Sequence, residues 1–276
     1  MEWHADDHRP YGEDVPTFTT SDGAQLNYQI EGNGPSTLAF VHGWCSNLRH
    51  WDPQATHFAK THRVLRWDRR GSGGSVDAPA AKSAAHHADD LATLLDQNGI
   101  DQVTVLGHAG GSPCALEFAV RHSSRTNGVV IVDFGLAKKP NLDDPTDAFG
   151  TLLAQMVTTL KGPEGPAAFR NMYAGYFGPK CDPAISAAAI NAAATTPIDV
   201  ACSELIDVIA IDNEALVRQI TAPVMWVTAT TPDAAYLNSV IGNLSIGVTP
   251  GSGHFIQLEV PHQLNAMIET FLTQNS

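Results

Sequence analysis

A chain of 276 residues, 43% of them hydrophobic, is long enough for one large domain with a sizeable core and does not require two. Its 16 Lys and Arg against 29 Asp and Glu give a net charge of -13, which argues against a nucleic-acid backbone or an anionic membrane as partner. The four cysteines, Cys45, Cys114, Cys181 and Cys202, show no C-x-x-C pairing, and a core of this size needs no disulfide staples, so reduced thiols are expected.

In chain order, the opening MEWHADDHRP is acidic and polar where an export signal needs a basic and then an apolar run, so a cytoplasmic location is expected. No later apolar run approaches the roughly 18 residues that a membrane span needs. His4, Asp6, Asp7 and His8 form a terminal cluster, expected to be disordered. TFTTSDGAQLNYQIEG reads as a hairpin turning at Asp22-Gly23. STLAFVHG, HRVLRWD, QVTVLGH and GVVIVDF, apolar runs closed by polar or glycine residues, read as four further strands of a mostly parallel sheet with helices between them. Within AAHHADDLATLLDQNGI the His and Asp residues resemble a metal pattern, but an amphipathic helix with solvated charges is the expectation. From Leu136 to Asn213 no strand pattern recurs, and DAFGTLLAQMVTTL, AAFRNMYAGYF and AISAAAINAAA are helical in character. That stretch is too long for a loop. Residues 136–213 are therefore expected to be a helical cap inserted after the sixth strand, with residues 1–135 and 214–276 as the core domain. The sheet resumes in APVMWVTA and LSIGVTP, and PHQLNAMIETFLTQ closes the chain as an amphipathic helix.

Ligands of parallel sheets sit at the carboxyl ends of strands, which singles out His42, Trp44, Asp68, His108, Ala109 and Asp133. VLGHAGGSP has the form of the Gly-x-Ser-x-Gly nucleophile turn, with Ala109 at the nucleophile position. A methyl group has no lone pair, so a covalent serine mechanism is excluded for these residues as they stand. GSGGS at residues 71–75 lacks the Lys that a phosphate loop would place after it. PGSGHF presents His254 directly after the last strand, and histidine is the side chain that exchanges protons near neutral pH. Two acids could orient it. Asp233, in ATTPDAAY, also reads as a helix N-cap; Asp133 closes an apolar strand, where a carboxylate is costly without a partner, and is preferred.

HGW after one strand, WDRRGSGGS after the next, GHAGG at a strand-to-helix turn and GSGHF near the end, in that order between residues 16 and 274, resemble the α/β-hydrolase fold. The resemblance implies an α/β architecture: a mostly parallel central sheet flanked by helices, with a helical cap insertion. HGWCSNLRHW, Asp133 and the TATTPDAAYLNS loop further resemble one branch, the cofactor-less 2,4-dioxygenases that cleave 3-hydroxy-4(1H)-quinolones, including 2-alkyl quinolone signals. What this second resemblance implies is a His254–Asp133 dyad that deprotonates the substrate 3-hydroxyl. The anion then reacts with O2 and releases carbon monoxide and an N-acylanthranilate, with no metal or flavin. Backbone N–H groups near Gly110, with that of Trp44, would hold an oxyanion. His108, Ala109, Trp51 and Ser46 would complete the substrate site, and Met156, Phe169, Met172, Tyr173, Tyr176 and Phe177 are the cap-pocket candidates. The chain departs from that branch at Ala109, where relatives have serine, at Gly110, where they have histidine, and at Ser46, where another pocket histidine is expected. The expected partner is a small aromatic or alkyl substrate; nucleic acid and membrane are not expected, and the chain should be a monomer or weak homodimer. Two other readings stay open: a serine esterase or lactonase with a Ser→Ala change at Ala109, and an inactive small-ligand-binding protein.

Overall fold

Residues 15–275 are described by the computed structural model of the chain. The hairpin is present as β1 (Thr17–Thr19) and β2 (Gln25–Glu31), paired antiparallel, with Gly23 at φ 88° in the turn. β3 (Thr37–Val41), β4 (Arg63–Trp67), β5 (Val103–His108), β6 (Thr126–Val132), β7 (Val224–Thr228) and β8 (Leu244–Val248) follow. The sheet order is β1-β2-β4-β3-β5-β6-β7-β8, parallel from β4 to β8. The antiparallel β2–β4 pair joins the hairpin to that parallel part.

Side chains that alternate along each strand fill two separate layers. Leu38 and Phe40 of β3, Val130 and Val132 of β6, and Met225 and Val227 of β7 meet α1 (Asp52–Phe58) and, later in the chain, the C-terminal helix on one face. Ala39 and Val41, Val129 and Ile131, and Val224 and Trp226 face the other way. There they meet α2 (Ala84–Gln97) and α3 (Ser112–Arg121). Both faces are therefore dry, which is why these strands read as continuous apolar runs.

Between β6 and β7 come α4 (Ala148–Leu160), α5 (Gly165–Ala174), α6 (Pro183–Ala193), α7 (Ile198–Ser203), a π-helix (Glu204–Ile209) and α8 (Asn213–Val217). A third apolar cluster joins Leu153, Phe169, Tyr173 and Leu205 of this insertion to Trp44 and Cys45 after β3 and to Phe255. Helices α9 (Ala234–Val240), α10 (Ile256–Glu259) and α11 (Pro261–Gln274) complete the chain. Among the described residues no single helix is long and apolar enough to cross a membrane.

One expectation fails on α2. His87 and Asp90 are buried, not solvated. Arg70, also buried, points inward after β4 and is met by Asp90 at 2.7 and 2.9 Å, because a guanidinium cannot be buried without a carboxylate to share its charge. His87 approaches Arg69 at 3.1 Å. The terminal cluster His4, Asp6, Asp7 and His8 lies outside the described residues.

Candidate active site

Three strand-to-helix loops hold a non-glycine residue in the left-handed backbone region: Cys45 in the loop after β3 (φ 49°), Ala109 directly after β5 (47°) and Asp133 directly after β6 (46°). Each conformation costs on the order of 1 kcal/mol and persists only where its surroundings enforce it. At the β5 turn the enforcement is contact. A Cβ on Gly111 would lie 2.4 Å from the His42 carbonyl oxygen, and one on Gly110 would lie 3.0 Å from the Trp44 nitrogen. Glycine is thus required for the loops after β3 and β5 to touch, and the contact gathers the Trp44 and Gly110 amides at one wall. The N-terminus of α3 follows at once, its partial positive charge directed at the same place. Trp44 is fixed by its indole N–H, which donates to the Ala201 carbonyl at 2.9 Å.

At the β6 turn the strained residue carries a carboxylate. Asp133 Oδ2 accepts from His254 Nδ1 at 2.6 Å, and Oδ1 accepts the Ala229 N–H at 2.8 Å. The Asp133 N–H itself donates to Val227 O at 2.7 Å. With the Nδ1 proton committed to Asp133, His254 is left with Nε2 as a proton acceptor. Asp233, the other candidate acid, caps α9 by accepting the Tyr236 N–H at 2.9 Å.

Backbone contacts pin His254 from both sides. Its N–H donates to Tyr176 O at 2.8 Å. The Glu259 carboxylate accepts the N–H groups of Gly253 (2.9 Å) and Phe255 (3.2 Å), and also that of Gly178 in the insertion (2.9 Å). The His254 carbonyl accepts from His108 Nε2 at 2.9 Å. Burial, reinforced by the neighbouring His254, holds His108 well below the ordinary histidine range. His108 is therefore neutral, with its single proton on Nε2.

The turns, the dyad and the insertion enclose a cavity of about 450 Å³. Of the residues singled out from sequence, Trp44, Ser46, His108, Ala109, Gly110, Asp133, Met156, Tyr173, Tyr176 and His254 line it. Trp51, Phe169, Met172 and Phe177 do not. Trp51 packs on Phe40 with rings 5.0 Å apart, inside the layer under α1. Phe169 stands behind the wall against Trp44 and Tyr173, and Phe177 stacks on Phe255 at 4.6 Å. Met172 packs against the cluster beneath the insertion. Aromatic and sulfur-containing residues on helices this short alternate between lining and support, and composition does not distinguish them. The Tyr173 hydroxyl is bonded to Ser46 Oγ at 3.0 Å, and burial pushes its ionisation far up. The remaining wall is aliphatic or phenyl, including Phe134, Leu136, Phe149, Leu152 and Ile209.

Sequence reading missed two supports. One is Glu259, whose signal was an acidic residue inside the apolar run FIQLEVP. The other is Arg69, fully buried, which donates to both Glu204 oxygens (2.8 and 3.3 Å) and to the carbonyls of Gly43 (2.8 Å) and His42 (3.1 Å). Burial alone would raise the Glu204 carboxyl, but Arg69 and His87 together hold it below the usual range. This pair ties the insertion to the loops that make the site. His42 and Asp68, at strand ends, serve structure: His42 Nε2 accepts the Arg69 N–H at 2.9 Å, and Asp68 accepts from Leu48 and Gly74. Among the described residues no group of three or more His, Cys, Asp or Glu could hold a metal ion.

Residues 37–175 match a family model described as alpha/beta hydrolase fold. A Caulobacter vibrioides protein named as carbamate hydrolase RutD is 25% identical over 93% of this chain and 97% of its own length. A non-heme haloperoxidase of Rhodococcus erythropolis is 31% identical over 40% of each chain. Among solved structures, the enol-lactonase of Burkholderia xenovorans LB400 superposes with a TM-score of 0.81 at 18% identity, covering 94% of this chain and all of that one. A thermophilic esterase of Thermogutta terrifontis gives 0.80 at 20%, covering 95% and 98%.

Proposed function

This chain belongs to the alpha/beta hydrolase fold family, and from that premise we propose that it is a general-base enzyme that hydrolyses a small, largely apolar ester, lactone or carbamate without forming a covalent enzyme intermediate. The observation that carries the reading is the His254–Asp133 pair at 2.6 Å, which opens on the same cavity as an elbow whose side chain is a methyl group. His254 Nε2 takes a proton from a water molecule as its oxygen bonds to the substrate carbonyl carbon. Asp133 stabilises the imidazolium that results. The oxyanion of the tetrahedral intermediate is received by the amides at Trp44 and Gly110. Collapse expels the alcohol or amine, which regains the proton from His254, so that ester and water give acid and alcohol. No step calls on a metal or flavin. The relatives' names, carbamate hydrolase, esterase and enol-lactonase, support this substrate range.

A second reading has its own support. Ala109 and an acid on β6 suit an enzyme that deprotonates its substrate directly, as in the cofactor-less cleavage of a 2-alkyl-3-hydroxy-4(1H)-quinolone. There His254 takes the 3-hydroxyl proton, the anion reduces O2 and is oxidised by it, and ring cleavage releases carbon monoxide.

One experiment decides between them. The chain and its His254→Ala variant are supplied with a panel of aryl and alkyl esters and lactones, and separately with the quinolone in air. Hydrolysis that His254→Ala abolishes, with no burst of first product, is the expected result. Oxygen uptake with carbon monoxide release, and no hydrolysis, would replace it with the second reading. Ala109→Ser should add a burst from acyl-enzyme formation to any hydrolysis present.

A further inference from the structure

The cavity is strongly asymmetric. Its charged pair and the two amide-bearing turns are gathered at the strand ends, and the insertion adds only the Tyr173 and Tyr176 hydroxyls as polar side-chain groups. One face of α4 forms part of the wall, with Phe149, Leu152, Leu153 and Met156 at helical spacings of three, four and seven. Leu136 and Ile209 line the cavity as well, and apart from Asp133 and His254 its lining holds no other charged residue or histidine except the buried His108. Leu153 is buried, whereas Leu152 is 51% exposed and is the one large hydrophobic side chain exposed among the described residues. A leucine that lines a cavity and also faces water stands at its mouth. Its exposure has an energetic cost that a bound apolar group would remove.

We propose that this wall is a binding track for a straight alkyl chain, which extends from the carbonyl held at the dyad, along α4 past Met156, to the mouth at Leu152. The inference rests on the hydrolytic reading of the same cavity and adds the substrate class: alkyl-chain esters, with the chain on the acyl side. Met156 suits such a track because its unbranched thioether adapts to a flexible chain.

Binding of a series of methyl n-alkyl ketones by calorimetry tests the track without needing turnover, since a ketone carbonyl cannot be hydrolysed. Affinity should rise roughly fourfold per added methylene while the chain remains inside, and then level off. Leu152→Asp should lower the ratio of long-chain to short-chain affinity, and Met156→Trp should bring the plateau to shorter chains. Equal affinity along the series, or a rise that neither variant alters, would overturn the track. Running alkyl esters in parallel separates the two readings. Ketone binding that rises with length, without ester hydrolysis, leaves the track standing and removes the hydrolase; hydrolysis insensitive to chain length in a chain that binds all ketones alike does the reverse.

Discussion

Two turns of this molecule have nearly the same backbone and opposite chemistry. Ala109 after β5 and Asp133 after β6 sit at φ 47° and 46°, one strand apart in the sheet. The first turn ends in a methyl group. The second ends in a carboxylate with both oxygens occupied, one by Ala229 and one by His254. Backbone strain at a strand end is therefore no measure of what a side chain does. At Ala109 the strained turn serves the amides and glycines around it, whereas at Asp133 it aims the side chain. The largest expected effect tests that division. Asp133→Asn should lower kcat by roughly 10³- to 10⁴-fold, because an amide cannot stabilise the imidazolium and favours the wrong tautomer. Steady-state kinetics on the best-hydrolysed member of the ester and lactone panel checks this. A loss under tenfold would mean that Asp133 is strained for structural reasons, as Ala109 is.

The second contrast is between the dyad and the buried pair Arg69–Glu204. Both are charge-assisted, but the latter lies outside the cavity lining and joins the insertion to the loops after β3 and β4. Glu204→Gln leaves Arg69 buried with no anion bonded to it and should cost about 3 to 5 kcal/mol in urea unfolding. Glu259→Gln probes the step between. Weakening three N–H acceptances around His254 should reduce kcat by about ten- to a hundredfold with little change in KM, and Glu259→Asp should restore part of it. A KM effect alone would place Glu259 with the scaffold.

How far the sequence foretold this depends on which force shaped each part. The strands and the closing helix were legible because one periodicity governs each of them, and the dyad because a carboxylate at the end of an apolar strand needs a partner. Trp51 and Phe177 were misplaced because lining and support share the same residue types. Arg69 and Glu204 were missed because they lie 135 residues apart in sequence, and only the tertiary fold brings such charges together. Glu259, whose partners Gly253 and Phe255 are 6 and 4 residues away, was missed because it accepts from backbone N–H groups, which carry no residue-type signal.

Buried histidines give the structure a pH signature separate from that of catalysis. Burial pushes His50 down to about 4 from an ordinary 6.5, and lowers His42, His87 and His108 as well. In the folded state these rings are neutral, whereas the unfolded chain binds protons below 6.5. Stability is therefore fully present above that value and is lost as pH falls toward 4, with a slope of up to about 1.4 kcal/mol per pH unit for each ring. Urea titrations across that window should show the decline, and His50→Gln should make it shallower. A pH-independent midpoint between 6.5 and 4 would mean that these rings gain protons without unfolding the chain.

The smallest expected effect returns to the β5 turn. In an ordinary helix Ala→Gly costs about 1 kcal/mol, chiefly through backbone freedom in the unfolded chain. At Ala109 the same change also releases left-handed strain of similar size. The two should nearly cancel, leaving Ala109→Gly within about 0.5 kcal/mol of the parent, while Ala115→Gly, buried inside α3, should lose at least about 1 kcal/mol. Activity should follow stability in being little changed, because the working groups of this turn are its amides and not its methyl. If Ala109→Gly instead costs as much as Ala115→Gly, the turn is not strained in solution. The likeness of the two turns would then end at the backbone, and the amides at Trp44 and Gly110 would need another explanation for their position.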